Sequence, residues 1–145
     1  MNIITWAHLI GTLGMFGVIL FVQIVHYPLM ARVGEERFGE YARAHTDRTG
    51  FVVGPLMIPE FGAALWLALI PLATPTLNLL AWIGLALLIL IWAVTGLVSV
   101  PCHSRLMRGF DAGVHRRLVS SNWIRTALWA IRVPIALWLA GVPVP

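Results

Sequence analysis

The residues with chemical potential gather in two stretches, Val100-Pro-Cys-His-Ser-Arg-Leu-Met-Arg-Gly-Phe-Asp111 and Ser121-Asn-Trp-Ile-Arg-Thr126. In the first, an apolar run gives way to a histidine, a thiol and arginines. The second opens another apolar run with Asn122 and Arg125, and Arg132 follows inside it. Two further histidines belong with His103. His26 ends the first apolar run as His103 ends the third, and His45 lies on the apolar side of the polar segment between runs one and two. Three imidazoles with a carboxylate or thiol suit Fe, Cu or Zn, and two symmetric histidines suit a haem. The candidate metal ligands are His26, His45, His103 and Glu60; the candidate haem ligands are His26 and His103. No tight spacing such as H-x-x-x-H or E-x-x-H occurs, so the ligands have to converge from different elements. Without a metal, the same imidazoles are acid–base groups or polar anchors. Cys102 is either a soft ligand or a small buried residue.

Glu60 and Arg132 sit near the middle of the second and fourth apolar runs, where charges pair with each other or line a polar cavity. They are either a mutual ion pair or a working pair. In the working reading Glu60 is a ligand or base, and Arg132 holds an anionic or carbonyl group. Asn122, Arg125, Trp129 and Arg132 recur at steps of three or four and share one helix face. That stripe is expected to point inward. The candidate catalytic set is Glu60, His103, Asn122, Arg125 and Arg132. Gln23 lies near the face of His26 and could orient it, and His115 is expected in solvent.

The elements that hold these residues are long and apolar. Of 145 residues, 59% are hydrophobic and 11% charged, with mean hydropathy +0.86; this is membrane composition. Four runs are long enough to cross ~30 Å of hydrocarbon: residues 3–26, 51–71, 77–100 and 121–141. Between the first two, Phe38, Tyr41, Ala42 and His45 recur at i, i+3, i+4 and i+7. Residues 35–49 are therefore expected as a separate amphipathic helix on the cytoplasmic surface. Asp111 is expected to cap a short helix holding His115, Arg116 and Arg117. Gly11, Gly14 and Gly17 allow a neighbouring helix close. The expected fold is all-α: an integral membrane four-helix bundle made of two repeated hairpins, forming a single domain.

All ten basic residues are Arg, and none lies in the Leu72–Thr76 turn or at either terminus. Arg32, Arg37, Arg43 and Arg48 lie between runs one and two; Arg105, Arg108, Arg116 and Arg117 lie between runs three and four. The positive-inside rule then puts both termini outside, as in a multi-pass protein of a bacterial inner membrane. The arginines argue for orientation in a bilayer, not for nucleic acid. One cysteine excludes an internal disulfide framework. The first run lacks a basic leader and is expected as a retained helix.

A weak internal repeat supports the hairpins. His26-Tyr-Pro-Leu-Met30 resembles His103-Ser-Arg-Leu-Met107, and Arg48-Thr49 resembles Arg125-Thr126 at the same offset. Ala64-Leu-Trp-Leu-Ala matches Ala136-Leu-Trp-Leu-Ala after a short gap.

Pro101-Cys-His-Ser-Arg-Leu106, followed by Asn122-Trp-Ile-Arg125 at the opening of run four, resembles the small anthrone-oxygenase-like membrane proteins. Their pattern is Pro-x-Asn-x-x-Leu and then a Trp-and-Arg motif; here His103 stands in place of the Asn. The resemblance implies a cofactor-poor or metal-assisted oxygenase acting on a hydrophobic aromatic, with His103, Asn122 and Arg125 at the site. Two alternatives stay open. One is a small transporter or proton-coupled permease subunit, with Glu60 and Arg132 as relay and a pore made by homo-oligomerising. The other is a non-catalytic assembly subunit. The expected partners are the lipid bilayer and a lipophilic small molecule.

Overall fold

A computed structural model describes residues 3–141, and no strand occurs among them. The first rod is α1 (Ile3–Phe21), a wide π turn at Val22–His26, and α2 (Tyr27–Met30). The second is α3 (Glu35–Leu69). The third is α4 (Pro75–Val94), a second π turn at Thr95–Ser99, and α5 (Val100–Leu106). The fourth is α6 (Ala112–Leu139). Three of these rods, Ile3–Met30, Glu35–Leu69 and Pro75–Leu106, are long and apolar enough to cross a membrane.

Both π turns have the same local cause. Proline lacks an N–H and its ring crowds the carbonyl four residues back. Pro28 and Pro101 each follow a residue whose N–H reaches five residues back, Tyr27 to Val22 and Val100 to Thr95. Widening the turn just ahead of the proline absorbs the crowding, and the rod continues without a break.

Residues 35–49 do not form a separate surface helix. They are the first turns of α3, which runs unbroken for 35 residues, roughly 52 Å at 1.5 Å per residue. Nothing between Thr46 and Val52 stops a helix, and Gly50 alone only weakens it. The inward face is as expected: Phe38 and Ala42 are buried, and Phe38 meets Phe110 edge-on at 5.0 Å. Likewise the helix capped by Asp111, whose Oδ1 accepts the Val114 N–H at 2.9 Å, runs on directly through the fourth apolar run. The opposite turn is tied by the Thr74 hydroxyl, which accepts the Leu77 N–H, and by Asn78, which accepts the Leu72 N–H.

α1 packs on α3 and α6, and α4 packs on α6 and α3. One apolar core, built around Met15, Leu88, Ile91 and Trp129, fills the half of the bundle toward the termini. A second, built around Tyr27, Phe38, Leu106 and Leu118, fills the arginine-bearing end and takes in Cys102. The outside is apolar as well: Phe51 is 83% exposed and Leu97 76%, while Glu60 is 0% and Arg132 1%. Charges shut inside and large hydrocarbons facing out are the pattern of a membrane protein. The tryptophans fall into two groups. Trp129 is fully buried, but Trp66, Trp82 and Trp92 face outward.

Candidate functional site

Two polar layers interrupt the apolar interior. The one nearer the arginine-bearing end contains the histidines. His45, from α3, stacks on His26 with ring centroids 4.0 Å apart and an 18° tilt; its other neighbour is His103, at 5.7 Å. Tyr hydroxyls meet both ends of this row: Tyr41 lies 3.5 Å from His26 Nδ1, and Tyr27 lies 3.2 Å from His103 Nε2. The Thr49 hydroxyl, one turn along α3, lies 3.2 Å from His45 Nδ1. Two buried ring nitrogens, His26 Nε2 and His103 Nδ1, have no hydrogen-bond partner.

The stripe on α6 adjoins this row. Asn122 donates from Nδ2 to Gln23 Oε1 at 2.8 Å, and its Oδ1 accepts from Arg125 Nη1 at 3.1 Å. Arg125 Nη1 also lies 3.4 Å from Ser99 Oγ, and its Nε has no partner. Arg125 is 7% exposed, and among the described residues no carboxylate pairs with it. All four stripe residues, Asn122, Arg125, Trp129 and Arg132, are buried, as their spacing requires. Gln23 does not orient His26; it holds Asn122. His115 is not in solvent either. It is buried, and its Nε2–H reaches the Tyr27 carbonyl at the start of α2, at 2.9 Å.

A cavity of about 240 Å³ opens against this layer. His45, His103, Arg125 and Tyr27 form its polar part; Met15, Ile19, Val53 and Met57 form much of its apolar wall. A larger groove of about 450 Å³ lies beside it, between α1 and α3, and shares Val18, Val22, His45 and Thr49 with it.

Glu60 and Arg132 make the second layer, toward the termini. Arg132 Nη2 donates to Glu60 Oε1 at 2.5 Å, and the Thr12 hydroxyl donates to the same oxygen at 2.6 Å. Arg132 Nη1 donates to the Gly84 carbonyl. His8 Nε2 lies 3.4 Å from Arg132 Nη2, and the guanidinium sits 5.5 Å over the Trp129 ring. Gly11 makes the close approach possible: a Cβ there would lie 2.5 Å from Glu60 Cβ.

The expected set is therefore divided. The structure brings His26, His45, His103, Asn122 and Arg125 together. It places Glu60 and Arg132 elsewhere, because Glu60 stands fifteen residues beyond His45 on one continuous helix, ~22 Å along its axis. Glu60 therefore cannot complete a metal site with the histidines. Among the described residues no group of three His, Cys, Asp or Glu side chains is arranged to hold a metal ion. Zinc-type ligation needs ring nitrogens converging at about 2.0–2.1 Å, whereas stacked rings aim their nitrogens side by side. His45 also fills the space that a haem between His26 and His103 would need. Cys102 is buried in the neighbouring apolar core and serves packing.

Sequence reasoning overlooked Tyr27, Ser99 and Thr12. A hydroxyl inside an apolar run is the same signal that singled out Glu60, and applied to Thr12 and Ser99 it finds them. Tyr27 carried no such signal beyond standing next to His26. Comparison with known protein families, characterised proteins and solved structures finds no match for this chain.

Proposed function

We propose that this chain is an oxygenase-like membrane oxidoreductase that takes a small lipophilic aromatic into the cavity beside the three histidines. The observation that carries this is Arg125, a guanidinium in the cavity wall, buried, beside His103, with no carboxylate partner. A buried charge left uncompensated is costly, and an oxygen that becomes anionic during reaction supplies the missing partner. The apolar remainder of the wall suits a ring system, and the stacked imidazoles suit proton transfer better than metal ligation.

His103 is the base in this reading. With its Nε2–H directed at the Tyr27 hydroxyl oxygen, Nδ1 keeps the lone pair, and that nitrogen is the one without a partner. A proton passes to Nδ1 from a ring CH2 conjugated with a carbonyl through the aromatic rings between them, and the electron pair moves through those rings onto the substrate oxygen facing Arg125. Asn122 and Ser99 hold the guanidinium in place. Dioxygen is the oxidant: the ring CH2 becomes C=O, one oxygen atom staying in the product and the other leaving as water with both hydrogens. Glu60 and Arg132 act as a structural pair. Because Thr12 and Arg132 hold Glu60, a proton relay through it has little support.

In the same reading the chain spans the bilayer four times as two repeated hairpins, with both termini outside. The arginine distribution supports the topology. Support for the repeat comes from paired features at a spacing of 72 or 73 residues, not the 77 that relates His26 to His103. The π turns and the prolines closing them, Pro28 and Pro101, stand 73 apart, as do Gly11 and Gly84. Gly11 lies against Glu60 and Gly84 against Arg132, and those partners stand 72 apart.

The test is turnover of anthrone, a tricyclic ketone with a reactive ring CH2, by purified protein in lipid nanodiscs under isotopically labelled dioxygen. Label in the product carbonyl, lost in His103→Ala and Arg125→Leu, is the expected result. No turnover and no binding of anthrone by the unmodified protein overturns the proposal. Substrate flux in proteoliposomes without product then favours transport.

A further inference from the structure

We infer that the substrate is a tailed amphiphile, whose ring head occupies the 240 Å³ cavity while an alkyl or prenyl tail lies in the groove between α1 and α3, open to the bilayer. This rests on the functional reading above and names the substrate class that the same site selects. The groove and the cavity adjoin, with Val18, Val22, His45 and Thr49 lining both. Their chemistries differ. The cavity holds Arg125 and His103, whereas the groove is floored by Gly17 and flanked by Phe21 and Val52, both more than half exposed to the outside. Arg48 stands at the polar end of the groove. From Gly17 to His26 the groove follows ten residues of the first rod, nine helical steps or ~13 Å along its axis. It is also the larger of the two spaces. A compact polar head would leave it unused.

Glycine usage points the same way. Gly within a helix costs about 1 kcal/mol relative to Ala, and at Gly11 close packing against Glu60 accounts for it. Gly17 and Gly50 have no such reason: a Cβ at either meets nothing within 4 Å, as is also true of the helical Gly54, Gly62 and Gly96 outside these spaces. Gly17 lines the groove and Gly50 lines the cavity. At both, the missing side chain keeps space open instead of admitting a neighbouring helix. A tail in this groove gains little over a tail in lipid, since both surroundings are apolar. The groove therefore acts by shape, admitting a head that carries a tail and giving the tail a way out.

Two probes test this in nanodiscs: 1-naphthol, and 1-naphthol carrying a dodecyl chain. Gly17→Trp fills the groove from α1 and Val52→Trp fills it from α3, neither touching Arg125 or His103. The expected result is that each variant lowers the affinity for the dodecyl probe, relative to that for 1-naphthol, by about tenfold or more. Circular dichroism and gel filtration check the fold, and the second variant covers failure of the first. If the ratio of affinities is unchanged in both variants while Arg125→Leu abolishes binding of both probes, the tail groove is overturned and the catalytic cavity stands. If the unmodified protein binds neither probe, both fall.

Discussion

Arg132 Nη2 lies 2.5 Å from Glu60 Oε1, and neither side chain reaches the outside of the bundle. Thr12 and the Gly84 carbonyl complete the pair from α1 and α4, so one ion pair links all four rods. Removing one member strands the other charge in an apolar interior. Glu60→Gln or Arg132→Leu alone is expected to destabilise by about 3–5 kcal/mol. The double variant should recover most of that loss and keep its turnover. Thermal unfolding in detergent, read beside activity, checks this. Loss of activity in a double variant that still folds would return Glu60 and Arg132 to the catalytic set.

Tyr27 and His103 should separate chemistry from stability. In the proposed reaction His103→Ala removes the base, and a reduction in turnover of about 100-fold or more is expected. Tyr27→Phe keeps the ring and deletes the hydroxyl that orients His103 Nε2, so a smaller reduction, about tenfold, is expected with little change in melting temperature. Single-turnover rates on detergent-purified protein measure both. An unchanged rate in His103→Ala would remove that residue from catalysis.

His115 is a structural residue in this fold. His115→Ala leaves the Tyr27 carbonyl without its cross-helix donor, an expected cost of about 1–3 kcal/mol, with the substrate affinity of the folded fraction unchanged. Denaturant titration against ligand binding distinguishes this from a solvent-exposed histidine, whose loss would cost almost nothing.

Gly11 and Gly17 should behave oppositely although they stand only six residues apart on one helix, because at 100° per residue they point ~120° apart. At Gly11 a methyl group would overlap Glu60, so Gly11→Ala is expected to destabilise by about 1–3 kcal/mol. At Gly17 there is open space, and Gly17→Ala is expected to be neutral or to stabilise by up to about 1 kcal/mol. Melting temperatures of the two variants in one detergent make the comparison.

What local chain geometry dictates could be read without coordinates. The apolar rods, the Asp111 cap and the inward stripe of Asn122, Arg125, Trp129 and Arg132 all follow from hydropathy and a 3.6-residue period, which each segment carries within itself. Phe38 and Ala42 were placed on the right face by the same rule. The end of that helix was not, since no breaker separates residues 35–49 from the apolar run that follows. The grouping of the polar residues was decided only by tertiary structure. Which side chains meet depends on how deep each rod sits and how it is rotated against its neighbours, and those are set by packing across helices. That packing stacks His45 on His26 and turns His115 inward to Tyr27. The continuation of α3 past residue 49 sets Glu60 ~22 Å along the helix from His45, so one expected site became a histidine–arginine cavity and a separate ion pair.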